Sequence, residues 1–190
     1  MVIRSIFVLG AALLIGGCAR IVSVAEALQQ PVDGRIRLAC NIWYQDPGNI
    51  PSANYQQGGR YLRFGTEIEV IEANEGKIVF RDMDGSRYTI NYDQDMMMLP
   101  IQNYIREVFT LKSKEEMTEG IEPEFLDAIE RGTVIRGMTR PEVKMACGPP
   151  PAFRTPDQLN STWIYFLDRN KTYRVIFGGS QVEMLMSIND

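Results

Sequence analysis

Residues 137–151 read GMTRPEVKMACGPPP, and this segment carries the clearest structural signals in the second half of the chain. Thr139 and Glu142 have the spacing of a capping box, in which the two side chains satisfy free backbone N–H groups at the start of a helix. Pro141 falls in the first turn, where a proline costs no hydrogen bond. The stretch therefore predicts a short helix that begins after Thr139 and ends at Gly148, and we expect Gly148 to be left-handed because the prolines after it prevent continuation.

The residues on either side of this helix predict a second helix and three strands. Pro123 opens an apolar stripe that ends at Gly132, which is typical of a short amphipathic helix. Apolar runs at residues 162–167, 172–177 and 181–187 are separated by turn residues and indicate an antiparallel meander. Two helices followed by three strands predict an α+β layer pair, with the helices on one face of the sheet.

The first strand of this meander is apolar on both faces. Trp163 and Tyr165 alternate with Ile164 and Phe166, so the two pairs point to opposite sides of the sheet. Either the helices and the first half of the chain cover both faces, or one face is a docking surface. Trp163 and Tyr165 are therefore candidate partner-binding residues.

Residues 35–95 predict a small β domain. Polar and apolar residues alternate at 66–70, and Asp84-Gly85 has the chemistry of a tight hairpin turn. Five short strands with such turns predict a small barrel of the SH3-like type. Residues 96–120 are predicted to link this barrel to a C-terminal domain of residues 121–190.

The start of the chain has the pattern of a bacterial lipoprotein signal. Arg4 precedes an apolar run that ends in Ile15-Gly16-Gly17-Cys18, and the run is shorter than the roughly 20 residues that span a bilayer. This pattern predicts that residues 1–17 are removed, that Cys18 is lipidated, and that residues 18–34 form a lipidated tether. The alternative is a plain cleaved signal in which Cys18 is an incidental thiol.

The residue after the cysteine indicates which membrane holds the lipid. Ala19 stands where an aspartate would be the usual signal for retention in the inner membrane. We therefore expect the protein to be anchored in the outer membrane and to face the periplasm, because acyl chains buried in a bilayer make a stable attachment.

The composition excludes several classes of function. The chain has 20 basic and 24 acidic residues, and loss of Arg4 with the signal leaves a net charge of −5, which argues against nucleic-acid binding. The chain has no histidine, so the commonest general base and metal ligand is missing, as are Ser-His and Cys-His nucleophiles. The acidic residues between 82 and 95 lack the spacing of a calcium loop. We predict a protein that is not an enzyme, with no catalytic site, metal, cofactor or small-molecule substrate.

Two cysteines remain after the predicted lipidation site. An oxidising periplasm permits a disulfide between Cys40 and Cys147. The alternative is two buried free thiols, because Cys147 falls at a helix position that needs an apolar residue. The sequence leaves both alternatives open.

Charge is unevenly distributed along the chain. Residues 64–130 contain 16 acidic and 6 basic side chains, whereas residues 131–174 contain 8 basic and 3 acidic ones. A basic face in the second segment would suit anionic lipid head groups or an acidic partner, and ordinary solvated surface is the alternative. The candidate members of this face are Arg136, Arg140, Lys144, Arg169, Lys171 and Arg174.

An ordered set of short motifs in the C-terminal part resembles a known family. The set comprises Gly132, residues 135–143, residues 148–150, residues 163–166 and residues 174–177. In this order the motifs resemble the outer-membrane assembly lipoproteins known as SmpA/OmlA, or BamE-like, over about residues 121–188. The resemblance implies a small α+β domain that docks on envelope proteins without catalysis. Proteins of that family are mostly one small domain near the lipid, whereas here a β domain precedes it.

These observations predict a lipid-anchored periplasmic adaptor. Its expected partners are the membrane, through the anchor, and envelope or outer-membrane proteins. The alternative is a periplasmic inhibitor or a peptidoglycan-binding module. The BamE-like fold resembles that of β-lactamase-inhibitor proteins, and SH3-like domains often bind cell-wall peptides.

Overall fold

The computed structural model describes residues 20–29, 34–56 and 59–189 of the 190-residue chain. Two hydrophobic cores organise these residues, and each core is built on one main sheet. The predicted signal peptide and Cys18 lie outside the described residues. Within the described ranges, none of the helices has the length and apolar character needed to cross a membrane.

The first half of the chain folds into a six-stranded sheet that curls into a half-barrel. Its strands are β1 (Ile36–Leu38), β3 (Ile50–Pro51), β5 (Glu67–Asn74), β6 (Lys77–Asp82), β7 (Arg87–Asn91) and β8 (Phe109–Thr110). The spatial order is β3-β7-β6-β5-β1-β8, and every neighbouring pair is antiparallel except β3 with β7. Strands β2 (Ile42–Tyr44) and β4 (Arg60–Leu62) form a separate antiparallel ribbon.

Short helices complete the first core. They are α1 (Val24–Leu28), α2 (Gln94–Met97) and α3 (Ile101–Val108), whereas α4 (Lys114–Thr118) packs Met117 against the second core. The predicted linker of residues 96–120 thus contains three helical segments and strand β8. Helix α3 buries Ile101, Tyr104, Ile105 and Val108, because their spacing places them on one helix face. Strand β8 follows α3 directly and pairs with β1, so residues 101–110 are part of the half-barrel.

The second half has the layer arrangement that the sequence predicts. Strands β9 (Thr162–Phe166), β10 (Lys171–Gly178) and β11 (Gln181–Asn189) form an antiparallel sheet in the order β11-β10-β9. Helices α5 (Pro123–Glu130) and α6 (Arg140–Cys147) share a core with its inner face. Trp163, Tyr165, Val175 and Phe177 from the sheet pack there with Ile129, Val143 and Ala146 from the helices.

The two ends of α6 follow from its sequence, with one correction. At the start, the Glu142 carboxylate accepts hydrogen bonds from the Thr139 backbone N–H at 2.6 Å and from its hydroxyl at 2.8 Å. At the end, the backbone of Gly148 has φ 79° and ψ −179°, so its φ is positive but it is not in the left-handed helical region that we expected. The residue before a proline is forced toward extended ψ, and only glycine combines this with positive φ. Pro149 therefore accounts for the difference.

Candidate functional site

Two buried asparagines join the two cores. The Asn41 side chain is fully buried, donates to the carbonyls of Ile129 (2.7 Å) and Ala146 (3.0 Å), and accepts from the backbone N–H of Phe64 (2.9 Å). Asn41 thus bonds to the ends of α5 and α6 from a position beside β2. A buried amide costs little folding free energy when all its polar atoms are hydrogen-bonded, and here these bonds fix how the two cores meet.

Asn54 adds a second set of bonds at the same junction. Its amide donates to the carbonyls of Asn41 (3.0 Å) and Cys147 (2.6 Å), and its oxygen accepts from the Trp43 backbone N–H (2.8 Å). A Cβ on Gly148 would lie 2.7 Å from this amide nitrogen, so a side chain there would displace Asn54. This junction was not predicted, because no local pattern distinguishes a buried asparagine from one in a surface turn.

The two cysteines are free thiols buried at this junction. Of the two alternatives left open above, the structure therefore contains the unbonded pair. Gln56 donates to the Tyr173 hydroxyl (2.8 Å), which in turn donates to the Cys147 sulfur (3.1 Å). Burial raises the pKa of Cys40 to about 12 and that of Cys147 to about 11, so both stay protonated and poorly nucleophilic at neutral pH.

The six basic residues predicted to form one face lie in separate places. Arg140 and Lys144 are on α6, which packs on the inner side of the sheet, and Arg136 is exposed in the preceding loop. Arg169 and Lys171 lie at the β9–β10 turn, and Arg174 lies on the outer face of β10. Strand β10 is eight residues long, which separates its ends by roughly 25 Å. The residues therefore do not form a single basic surface.

Two of these basic side chains have structural partners. Arg140 donates to the carbonyls of Gly179 (2.8 Å) and Asn160 (3.2 Å) and lies over the Phe177 ring at 4.3 Å. Lys144 forms an ion pair with Glu107, which lies on α3 of the first core. These contacts tie α6 to the sheet end and to α3, so Arg140 and Lys144 are better explained as fold contacts than as partner-binding residues.

Trp163 and Tyr165 are not available to a partner. Each side chain is only 1% exposed, because both point into the core between the sheet and the two helices. Tyr165 also donates to the Gly148 carbonyl at 3.0 Å. The strand alternation was predicted correctly, but the side of the sheet that could meet a partner is the opposite one.

The outer face of the three-stranded sheet carries an apolar patch centred on Arg174. In the register of the sheet, Ile164 and Met186 flank Arg174, and Met184 lies beside Ile176. Ile164 and Ile176 are half-buried, whereas Arg174 is exposed and Met184 and Met186 are 52% and 42% exposed. We call these five residues the outer patch. Apolar side chains around one cation are suited to a protein surface that is apolar and carries a carboxylate.

A separate cavity of about 430 Å³ opens between the two halves. One wall comes from residues 43–46, 49, 51 and 55, and the other from the β9–β10 turn at residues 168–171. Its aromatic members are Trp43, Tyr44 and Tyr55, and its cations are Arg169 and Lys171. A pocket of this size with aromatic walls and a few charges is typical of ligand sites.

The carboxylates in the cavity are used by local turns. Asp46 accepts from the Gly48 backbone N–H at 2.8 Å, and Asp168 accepts from that of Asn170 at 2.7 Å. The cavity lining therefore combines two acidic side chains with the exposed basic side chains of Arg169 and Lys171. The indole N–H of Trp43 is buried without a hydrogen-bond partner among the described residues. The sequence did not predict this cavity, because its walls are brought together only by the docking of the two halves.

Residues 20–29, 34–56 and 59–189 contain no group of three or more Cys, Asp or Glu side chains placed to hold a metal ion. Comparison with known proteins gave no match to a family model, to a curated protein or to a solved structure.

Proposed function

We propose that this protein is a lipid-anchored adaptor of the bacterial envelope that docks on another envelope protein without catalysis. The outer patch is the observation that supports this proposal best. It places exposed apolar side chains around the Arg174 guanidinium on a sheet whose other face is already covered by helices. The partner is expected to present an apolar surface with a carboxylate opposite Arg174, because that pairing is complementary in both respects.

The anchor and the fold assignment belong to the same proposal. Lipid on Cys18 would hold the folded part near the outer membrane through the residues that follow it. We further propose that the half-barrel is an SH3-like module and that residues 121–188 are a BamE-like domain. Two helices packed on a three-stranded antiparallel meander support the second assignment at the level of architecture.

Capture from detergent-solubilised envelopes tests the docking proposal. Tagged wild-type protein should recover a membrane protein that Arg174→Glu fails to recover. Arg136→Glu makes the same charge change at an exposed residue outside the patch and should behave like the wild type. Salt at 0.5 M should weaken capture partly, because it shortens the screening length to roughly 4 Å. Equal capture by wild type and Arg174→Glu would contradict docking through the outer patch.

The cavity favours a second candidate function, the binding of cell-wall fragments. Its aromatic walls can stack on flat apolar groups, and Arg169 and Lys171 can pair with a carboxylate of a wall peptide. Under this alternative the lipid would again place the protein between the outer membrane and the wall.

Sedimentation with purified peptidoglycan distinguishes the two candidates. A wall-binding module should sediment with peptidoglycan, and Lys171→Glu should remain in the supernatant. Lys112→Glu, an exposed lysine outside the cavity, serves as the matched control. If wild type and both variants stay in solution while envelope capture persists, the adaptor function stands and the wall-binding function does not.

A further inference from the structure

Strand β11 is an edge strand with an unusually apolar centre. Among the described strands it pairs with β10 alone, and its central residues Met184, Leu185 and Met186 are 52%, 43% and 42% exposed. Consecutive residues of a strand point to opposite faces, so this edge is apolar on both sides. Exposed edge strands normally carry proline or charged residues such as lysine, because an unprotected edge pairs with strands of other chains. Residues 184–187 carry none of these.

Only the first part of this edge is covered by the described chain. The Gly137 N–H donates to the Val182 carbonyl at 2.8 Å, and the Val182 N–H donates to the Met138 carbonyl at 2.7 Å. Phe177 pairs with Val182 and Ile176 with Met184, so Glu183 is the extra residue of a bulge. The bulge separates the covered part of the edge from the apolar part that follows.

The sequence of the open part is symmetric about Leu185. Met184 and Met186 flank the leucine, and the small polar residue Ser187 stands opposite Glu183 in this symmetry. In an antiparallel pairing of two copies centred on Leu185, the leucines would face each other. Each Met184 would face a Met186, and each Glu183 would face a Ser187, so no like charges would meet. A pairing centred on Glu183 would oppose two carboxylates, which is destabilising.

We propose that two copies of this protein pair through β11 and form a continuous six-stranded antiparallel sheet with a two-fold axis at Leu185. A two-fold axis requires a surface that is complementary to itself, and the charge and apolar pattern of residues 183–187 meets that requirement. The backbone groups of the open edge gain partners, and the three apolar side chains gain cross-strand contacts. The pairing does not depend on the identity of any envelope partner.

Site-directed cross-linking of the full chain in mild detergent tests the pairing. Leu185→Cys should form a covalent species of twice the chain mass on mild oxidation. Glu115→Cys, an exposed residue on α4, should remain a single chain under the same conditions. Because Met184 should face Met186, co-expressed Met184→Cys and Met186→Cys chains should cross-link more than either variant alone.

Light scattering on the uncross-linked protein supplies the second measurement. Wild type should have the mass of two chains plus detergent, and Leu185→Lys should have the mass of one chain and still unfold cooperatively. Cross-linking of Leu185→Cys no greater than that of Glu115→Cys would overturn the proposal even if Leu185→Lys failed to fold. A cross-link from position 185 to a different protein would also overturn it, since the edge would then serve a foreign strand.

Discussion

The Asn41 side chain joins the two halves of the protein through three hydrogen bonds. It pairs with backbone groups of Phe64, Ile129 and Ala146, which are far apart in sequence. All three residues are buried, and the Ile129 carbonyl also accepts from the Gly132 N–H at 2.9 Å. An unsatisfied buried group costs about 1–3 kcal/mol, so this one residue carries a large share of the junction.

Replacing Asn41 should therefore destabilise the whole protein. Asn41→Ala is expected to lower the free energy of unfolding by about 3 kcal/mol, because the Phe64 N–H and the Ala146 carbonyl lose their bonds to this side chain, while the Ile129 carbonyl keeps its bond from Gly132. Urea unfolding monitored by tryptophan fluorescence measures this change. The exposed Asn160→Ala provides the control and should change stability by less than about 0.5 kcal/mol. A similarly small change for Asn41→Ala would mean that the junction is not held by this side chain.

The buried thiols predict how stability depends on alkaline pH. Burial raises the pKa of Cys40 to about 12 and of Cys147 to about 11, above the ordinary value of 9.0. The folded protein thus holds these protons more tightly than the unfolded chain. The resulting stabilisation is fully present below pH 9 and is lost as the pH rises toward 11 to 12. Urea midpoints measured from pH 8 to 10 should fall for the wild type.

The matched variant for this prediction is Cys40→Ala combined with Cys147→Ala. It should be less stable at pH 8 because of the lost packing, but its midpoint should fall less steeply between pH 8 and 10. Parallel curves for wild type and the double variant would assign the alkaline loss to other groups, such as the buried tyrosines.

At the scale of elements, helix α6 is the part that its sequence specifies best. The Thr139 and Glu142 pair, the proline in the first turn and the Gly148-Pro149 end are all local signals, and the helix has the predicted bounds. Local signals also gave the three strands of the second sheet. The one error at Gly148 concerned ψ, which the following proline controls.

Other features of the fold depend on contacts that local patterns do not encode. Helix α3 and strand β8 were predicted as a linker, because a short amphipathic segment does not reveal which core its apolar face will join. To predict that Trp163 and Tyr165 are buried, one must know which face of the sheet the helices cover. To predict the cavity, one must know how the two halves dock. In each case the missing information was a long-range contact.

The cap of α6 gives a prediction at this scale. Thr139→Ala should lower the free energy of unfolding by about 1 kcal/mol, because the hydroxyl's bond to Glu142 is lost at the helix start. Thr139→Ser keeps the hydroxyl and should retain most of the stability. Chemical denaturation of the three proteins makes the comparison, and equal loss in Ala and Ser variants would argue that the methyl group matters instead of the cap.

At the level of the whole molecule, the proposed adaptor function needs the folded part to be held at a membrane. The described residues begin at Arg20, close behind the predicted lipidation site. An anchor there would restrict the outer patch and the β11 edge to a thin layer beside the membrane. Concentration in such a layer favours weak pairings that would be rare in free solution.

Lipid attachment is itself a prediction. Growing cells labelled with an alkyne fatty acid should mark the wild type and leave Cys18→Ser unmarked. Intact mass should correspond to a chain beginning at Cys18 with acyl groups attached. Equal labelling of both proteins would contradict the lipoprotein assignment and leave Cys18 as an incidental thiol.

Cross-linking in growing cells shows whether the protein docks on an envelope protein from a membrane-held position. A photoreactive amino acid at position 164 would lie in the outer patch, on β9 and away from the β11 edge. We expect a cross-link to an envelope protein that disappears in Cys18→Ser and is absent when the probe is placed at the exposed Glu124 on α5. No cross-link from position 164, or one of equal yield from position 124, would rule out docking through the outer patch.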